Sequence, residues 1–260
     1  MKIYQFLEYL VEERIAFITL NRPEKRNALN DILIAELKDA LMAAEQDLSV
    51  KIIVIRGNGA AFCAGVDLDY LQRMQGYNME QNLADSSSLA QLFLTIYRGT
   101  KVVIAQVEGA AIAGGCGLVT VCDFAFVVPE AKLGYTEVRI GFVPAIVMTF
   151  LLRKIGETRA KELLLSGKII DAQTAVDYHI VNQVVPAEEI GAYVRKFALE
   201  MCTQNSAASL QLTKKMIADI QSFPLEDAMR FAAKMNAYSR ATDDCKRGVT
   251  AFLNKESHSW

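Results

Sequence analysis

The sequence predicts an α/β core over residues 1–199 followed by a helical region over 200–260. Three observations carry this reading. Short apolar runs alternate with helix-period segments up to about residue 187. Beyond that point the pattern turns to almost pure helix. Small-residue turns also follow the buried runs, where α/β proteins commonly seat ligands.

Taken in order, "RIAFITLN" (14–21) alternates as a strand does, and "DILIAELKDALMAAEQDL" (31–48) has helical period with Asn30 placed as its N-cap. "VKIIVIRG" (50–57) is a buried strand ended by glycine. "SSSLAQLFLTIYRGT" (86–100) reads as a helix and "KVVIAQVEG" (101–109) as another buried strand. "FAFVVPEAKLG" (124–134) predicts a strand, and "AIVMTFLLRKIGETRAKELLLSG" (145–167) one or two helices. "DAQTAVDYHIVNQVVP" (171–186) predicts a short helix and then a strand. Helical patterns then cover 188–204, 206–221 and 225–255. In the last of these, Phe231, Met235, Phe252 and Leu253 either close the core or face another subunit.

Composition narrows the function. A net charge of −2 and a pI near 5.8 argue against a nucleic-acid surface. Two histidines, His179 and His258, leave little material for metal sites or for Ser/His and Cys/His catalysis. His179, in "VDYHIV", reads as a surface residue of a helix or turn. The five cysteines are scattered without a CxxC pair, so reduced thiols in a cytoplasmic protein are the expectation. The N-terminus carries acids within its apolar run, unlike a secretory signal, and the apolar segments are too short to span a bilayer.

Three turns stand out: "NRPEKRNAL" (21–29), "AAFCAGVDL" (60–68) and "GAAIAGGCGL" (109–118). None fits a Walker loop or a dinucleotide fingerprint. Glycines where a helix begins let a ligand approach the backbone and meet first-turn N–H groups. The N–H of Gly114 or Gly115, with a second from "AGV", would make an oxyanion hole; the same glycines also suit tight turns and close helix packing. Glu137 in "LGYTEVRIG" is the best general base, its apolar surroundings favouring a raised pKa. The alternative is a loop carboxylate paired with Arg139. Asp67 and Asp123 read as capping or turn residues.

With these residues in place, the chain resembles the crotonase superfamily of enoyl-CoA hydratases and isomerases over nearly its whole length. "NRPEKRNALN", "AFCAGVDL", "GAAIAGGCGL…CD", "LGYTEVRIGFVP" and "LLLSGKIIDAQTAVDYHIVNQVV" fall in the family's order and spacing. The resemblance implies a spiral of ββα units, with C-terminal helices that build a trimer or a dimer of trimers. It implies an acyl-CoA substrate, no separate cofactor and no metal. Its oxyanion donors would be the N–H groups of Val66 and Gly114. Lys25, Arg26 and Ala28, with Ala64, Asp67 and Leu68, would line the coenzyme A path, and Glu137 would be the acid–base. The family's second glutamate falls at Gly117, which is expected to widen the pocket.

The resemblance implies hydration of a 2-enoyl-CoA, with "GGCGLV…CD" and "LGYTEVRIGFVPAIV" closest in look to bacterial methylglutaconyl-CoA hydratases. The acyl group would then be branched or carry a second carboxylate, with Arg139 and Arg73 as conceivable partners. The rivals are a Δ3,Δ2-enoyl-CoA isomerase and a catalytically weak CoA- or RNA-binding scaffold.

Overall fold

The computed structural model describes residues 2–260. Its chain opens with an antiparallel pair, β1 (Leu7–Glu12) and β2 (Ile15–Leu20), joined through Glu13 and Arg14 at positive φ. The sequence pattern predicts no strand at β1. Helix α1 (Asp31–Gln46) starts as expected at Asn30, whose side chain accepts from the Leu33 N–H at 2.9 Å.

A unit of long strand, short strand and helix then recurs. The first holds β3 (Ile52–Gly57), β4 (Ala61–Cys63), α2 (Leu68–Met74) and α3 (Met79–Arg98). The second holds β5 (Val102–Val107), β6 (Ala110–Ile112) and α4 (Gly114–Val121). The third holds β7 (Phe124–Val127), β8 (Lys132–Gly134), a 3-10 turn (Glu137–Ile140) and α5 (Ala145–Ser166). After these come β9 (Ile169–Asp171), α6 (Ala172–Asp177), β10 (Gln183–Val184), α7 (Ile190–Gln204), α8 (Ala207–Ile220), α9 (Leu225–Ala241) and α10 (Asp243–Asn254). This is the spiral of ββα units.

Each unit feeds two sheets. The long strands form a six-stranded sheet in the order β1-β2-β3-β5-β7-β10, parallel from β2 onward. The short strands form a second sheet, β4-β6-β8-β9, whose first three members are parallel. Ile52 to Ile55 are fully buried, as a parallel strand covered on both faces must be.

Several expectations change. Residues 124–134 form two strands in different sheets, with Pro129 between them. The helix read from 86 begins at Met79, because Asn78 and Gln81 close a capping box. α5 is two helical arms meeting at Gly156, whose φ of 75° and ψ of 172° break the ladder. The division anticipated at residue 200 falls inside α7. Val194, Ala198 and Cys202 of that helix are buried, and its Tyr193 and Phe197 pack edge-on against Phe126.

α8 is also tied to the core. Buried Lys214 donates to the Lys101 carbonyl at 2.8 Å and pairs with Asp123 at 2.7 Å. Asp123, which also accepts from the Val103 N–H, is thus a structural residue. By contrast α9 has no buried residue, and Phe252 and Leu253 on α10 are exposed. No helix among the described residues is long and apolar enough to cross a membrane.

Candidate active site

Three neighbouring strands of the small sheet, β4, β6 and β8, end at one wall of a cavity of about 410 Å³. After β4, Leu29 forms a parallel bridge with Val66. Its N–H donates to Gly65 O at 2.7 Å, and its carbonyl accepts from the Asp67 N–H at 2.9 Å. A parallel bridge bonds one residue to the two neighbours of its partner. The Val66 N–H therefore points the other way, and it has no acceptor among the described residues.

After β6, the Ala113 N–H donates to Gly134 O at 2.7 Å, and Ala113 turns the chain at φ 50°, ψ −122°. Gly114 opens α4, so its N–H is a first-turn donor, and it too has no acceptor among the described residues. Two glycines allow the turns to meet. Gly65 has φ +93°, and a Cβ there would stand 3.0 Å from Ile112 O. At Gly115 a Cβ would fall 2.1 Å from Cys63 O, so only glycine lets α4 start against β4.

Beyond β8, Tyr135 is fully buried and Glu137 begins the 3-10 turn that Gly141 closes at φ 75°. Glu137 lines the cavity, and its Oε2 is buried without a hydrogen-bond partner among the described residues. It makes no pair with Arg139. Burial pushes its carboxyl above the ordinary 4.5. The same burial pushes the thiols of Cys63, Cys116 and Cys122 up to about 12, so none supplies a thiolate near neutral pH.

Of the other predicted positions, Ala64 and Leu68 line the cavity. Lys25, Arg26 and Ala28 lie beside this wall but off the lining. Lys25 pairs with Asp69 at 2.7 Å, the Arg26 carbonyl accepts from the Ala64 N–H at 3.0 Å, and the Ala28 carbonyl accepts from Arg22 at 3.1 Å.

Asp67 does not face the cavity. It is buried, pairs with Arg22 at 2.5 Å and caps α2 by accepting from the Asp69 N–H at 2.8 Å, which is the capping role its turn suggested. Gly117 does not widen the pocket either. A Cβ there would stand 2.4 Å from Val147 Cγ1 and 3.0 Å from the Phe93 ring, so apolar side chains fill the space. His179 is exposed at the end of α6.

Neither arginine proposed for a distal carboxylate lines the cavity: Arg139 is exposed, and Arg73 pairs with Asp31 at 3.4 Å. Sequence reading missed Tyr70 and Asp85, which do line it, the Tyr70 hydroxyl donating to Asp85 Oδ1. The Asn78–Gln81 capping box was the available signal, since it places Asp85 on α3. No group of three or more His, Cys, Asp or Glu able to hold a metal occurs among the described residues.

A model of the enoyl-CoA hydratase/isomerase family matches residues 11–260. The chain belongs to that family. Among its relatives, a Thermus thermophilus protein provisionally assigned as an enoyl-CoA hydratase is 41% identical over 241 residues, 93% of this chain and 95% of the relative. The crotonyl-CoA hydratase of Syntrophomonas wolfei is 35% identical, covering 94% of this chain and 93% of its own. The crystal structure of an enoyl-CoA hydratase from Mycobacterium smegmatis superimposes with a TM-score of 0.92 at 28% identity, covering 98% of each chain. The two-sheet spiral is the crotonase fold, and the chain is an enzyme of the enoyl-CoA hydratase/isomerase family.

Proposed function

We propose that this enzyme adds water across the double bond of a 2-enoyl-CoA thioester. One observation carries the reading: the free N–H groups of Val66 and Gly114 and the Glu137 carboxylate, whose Oε2 has no partner among the described residues, share one cavity. The thioester carbonyl takes hydrogen bonds from the two N–H groups. Glu137 removes a proton from water as the oxygen bonds to C3, and the electrons of the double bond move onto the carbonyl as an enolate. The enolate collapses as C2 takes that proton back from Glu137. One carboxylate then serves both carbons from one face, which gives syn addition. Each oxyanion donor is worth about 3 kcal/mol of barrier, and general acid–base catalysis about 10²–10⁴-fold in rate.

An apolar lip supports an acyl substrate. Leu68, Ile140 and Val143 line the cavity yet remain exposed, a patch that an acyl or pantetheine chain would cover. Coenzyme A enters as part of the substrate, and its nucleotide would lie along Lys25, Arg26 and Ala28. Exposed apolar residues on α9 and α10, such as Met229, Phe252 and Leu253, suit the trimer or dimer of trimers typical of the fold. A methylglutaconyl-like acyl group would bring a second carboxylate into a lining that holds no Lys, Arg or His.

The apolar fill at Gly117 favours one second reading, a Δ3,Δ2-enoyl-CoA isomerase, in which a single carboxylate moves a proton between C2 and C4. Turnover in H₂¹⁸O decides between them. A hydratase puts label into a 3-hydroxyacyl-CoA, whereas an isomerase shifts the double bond without taking up oxygen.

A further inference from the structure

A second wall of the same cavity comes from α2 and α3 and carries one polar pair. Tyr70 is buried, and its hydroxyl donates to Asp85 Oδ1. Burial, together with that carboxylate, raises the Tyr70 pKa, so the phenol stays protonated and remains a donor. Asp85 Oδ2 has no hydrogen-bond donor among the described side chains. The lining holds no Lys, Arg or His; its only other carboxylate is Glu137. Arg73, the cation on α2, is not part of the lining; its guanidinium pairs with Asp31 at 3.4 Å and lies 5.1 Å from the centre of the Tyr70 ring.

We infer that the cavity selects 2-enoyl thioesters whose acyl tail is uncharged and ends in a hydrogen-bond donor, such as a hydroxyl, and that Asp85 is the residue that sets this preference. The inference rests on the hydratase reading of the site. A tail hydroxyl donates to Asp85 Oδ2 and satisfies an acceptor that is otherwise left to water. A methyl tail offers it nothing. A tail carboxylate meets a like charge in a largely apolar cavity without a compensating cation, so it must take up a proton or stay out. Rejection here comes from repulsion as much as acceptance comes from a new bond.

The test compares kcat/KM for three six-carbon substrates that differ only at C6: 6-hydroxyhex-2-enoyl-CoA, hex-2-enoyl-CoA and hex-2-enedioyl-CoA, with the eight-carbon series run alongside. Wild-type enzyme should favour hydroxyl over methyl over carboxylate, with at least about tenfold between the outer two. Asp85→Asn should shrink that ratio by about tenfold or more; the ratio is internal to each preparation, so a loss of active protein does not move it. If Asp85→Asn does not fold, the Kd order of 6-hydroxyhexanoyl-, hexanoyl- and adipyl-CoA for wild-type enzyme must follow the same sequence. Equal or carboxylate-first use of the substrates at both lengths overturns the inference and leaves the hydratase reading standing. So does an unchanged ratio in the variant. Failure to hydrate any substrate overturns the reaction itself, and the inference with it.

Discussion

Val147 occupies the space that a side chain at position 117 would need: its Cγ1 lies 2.4 Å from where a Cβ on Gly117 would stand. The apolar filling leaves no room there for substrate. Gly117→Ala should therefore destabilise by about 1–3 kcal/mol through overpacking, and Val147→Ala in the same chain should recover part of it. Urea unfolding of the two single variants and the double variant measures the coupling. Independent, additive effects would show that the two positions do not compete for space. Gly117→Glu should fail to accumulate as folded protein, since it adds bulk and an unpaired buried charge together.

Glu137 is the one cavity carboxylate that lies with the two free N–H groups. Glu137→Gln should keep binding of a saturated acyl-CoA while hydration falls at least about 10²-fold. Calorimetric binding and product formation, read on one preparation, check both halves. Near wild-type turnover would remove Glu137 from the mechanism.

The same residue sets a pH dependence. Burial raises the folded-state pKa of Glu137 above its unfolded value, so ionising it opposes folding. Its stabilising contribution is full below the unfolded value near 4.5 and is lost as pH rises through the folded one. Glu137→Gln should accordingly melt higher than wild type at pH 7, with the gap closing toward pH 4. Because the ionised form acts as the base, the acid limb of kcat/KM should lie above an ordinary glutamate's. Equal melting points at pH 7 would contradict the burial argument.

The Gly114 N–H has no acceptor among the described residues, so removing it should affect catalysis far more than stability. Proline is a poor probe here, because Ala113 before it sits at φ 50°, ψ −122°, outside the region a pre-proline residue prefers. Replacement of Gly114 by glycolic acid exchanges the N–H for an ester oxygen without adding a side chain. Turnover should drop about 10²–10³-fold, with thermal stability changed little. Full activity in the ester would place the polarising donor elsewhere.

Deleting residues 222–260 removes α9 and α10 but leaves α8 and its Lys214–Asp123 pair in place. Light scattering should then report monomer or aggregate. An intact trimer would mean that the exposed apolar faces of these helices serve another purpose.

The alternation of buried strands and helices, the Asn30 cap and the three small-residue turns were legible in the sequence because they are local. Periodicity, capping and turn chemistry act within a few residues. Glu137, the Gly114–Gly115 pair and the "AGV" turn stand out for the same local reason, and the resemblance to the family then singles out Val66 and Gly114. The three-residue strands β4 and β6 are too short for a period to show, and β8 merges with β7 in one apolar run, yet their pairing is what brings those turns to one wall.

The alternation of apolar runs with helix-period segments by itself gives the α/β class, and the order of the motifs carries the resemblance to the family. Tertiary structure decided which polar groups remain free. Asp67, which the resemblance set along the coenzyme A path, is taken up by Arg22 at 2.5 Å, and Gly117, expected to widen the pocket, faces Val147 and Phe93. Asp85 and Tyr70 gain meaning only because α2 and α3 come together on one wall of the cavity. The reason is physical: whether a group is satisfied, buried or exposed depends on neighbours distant in sequence, and no local pattern encodes them.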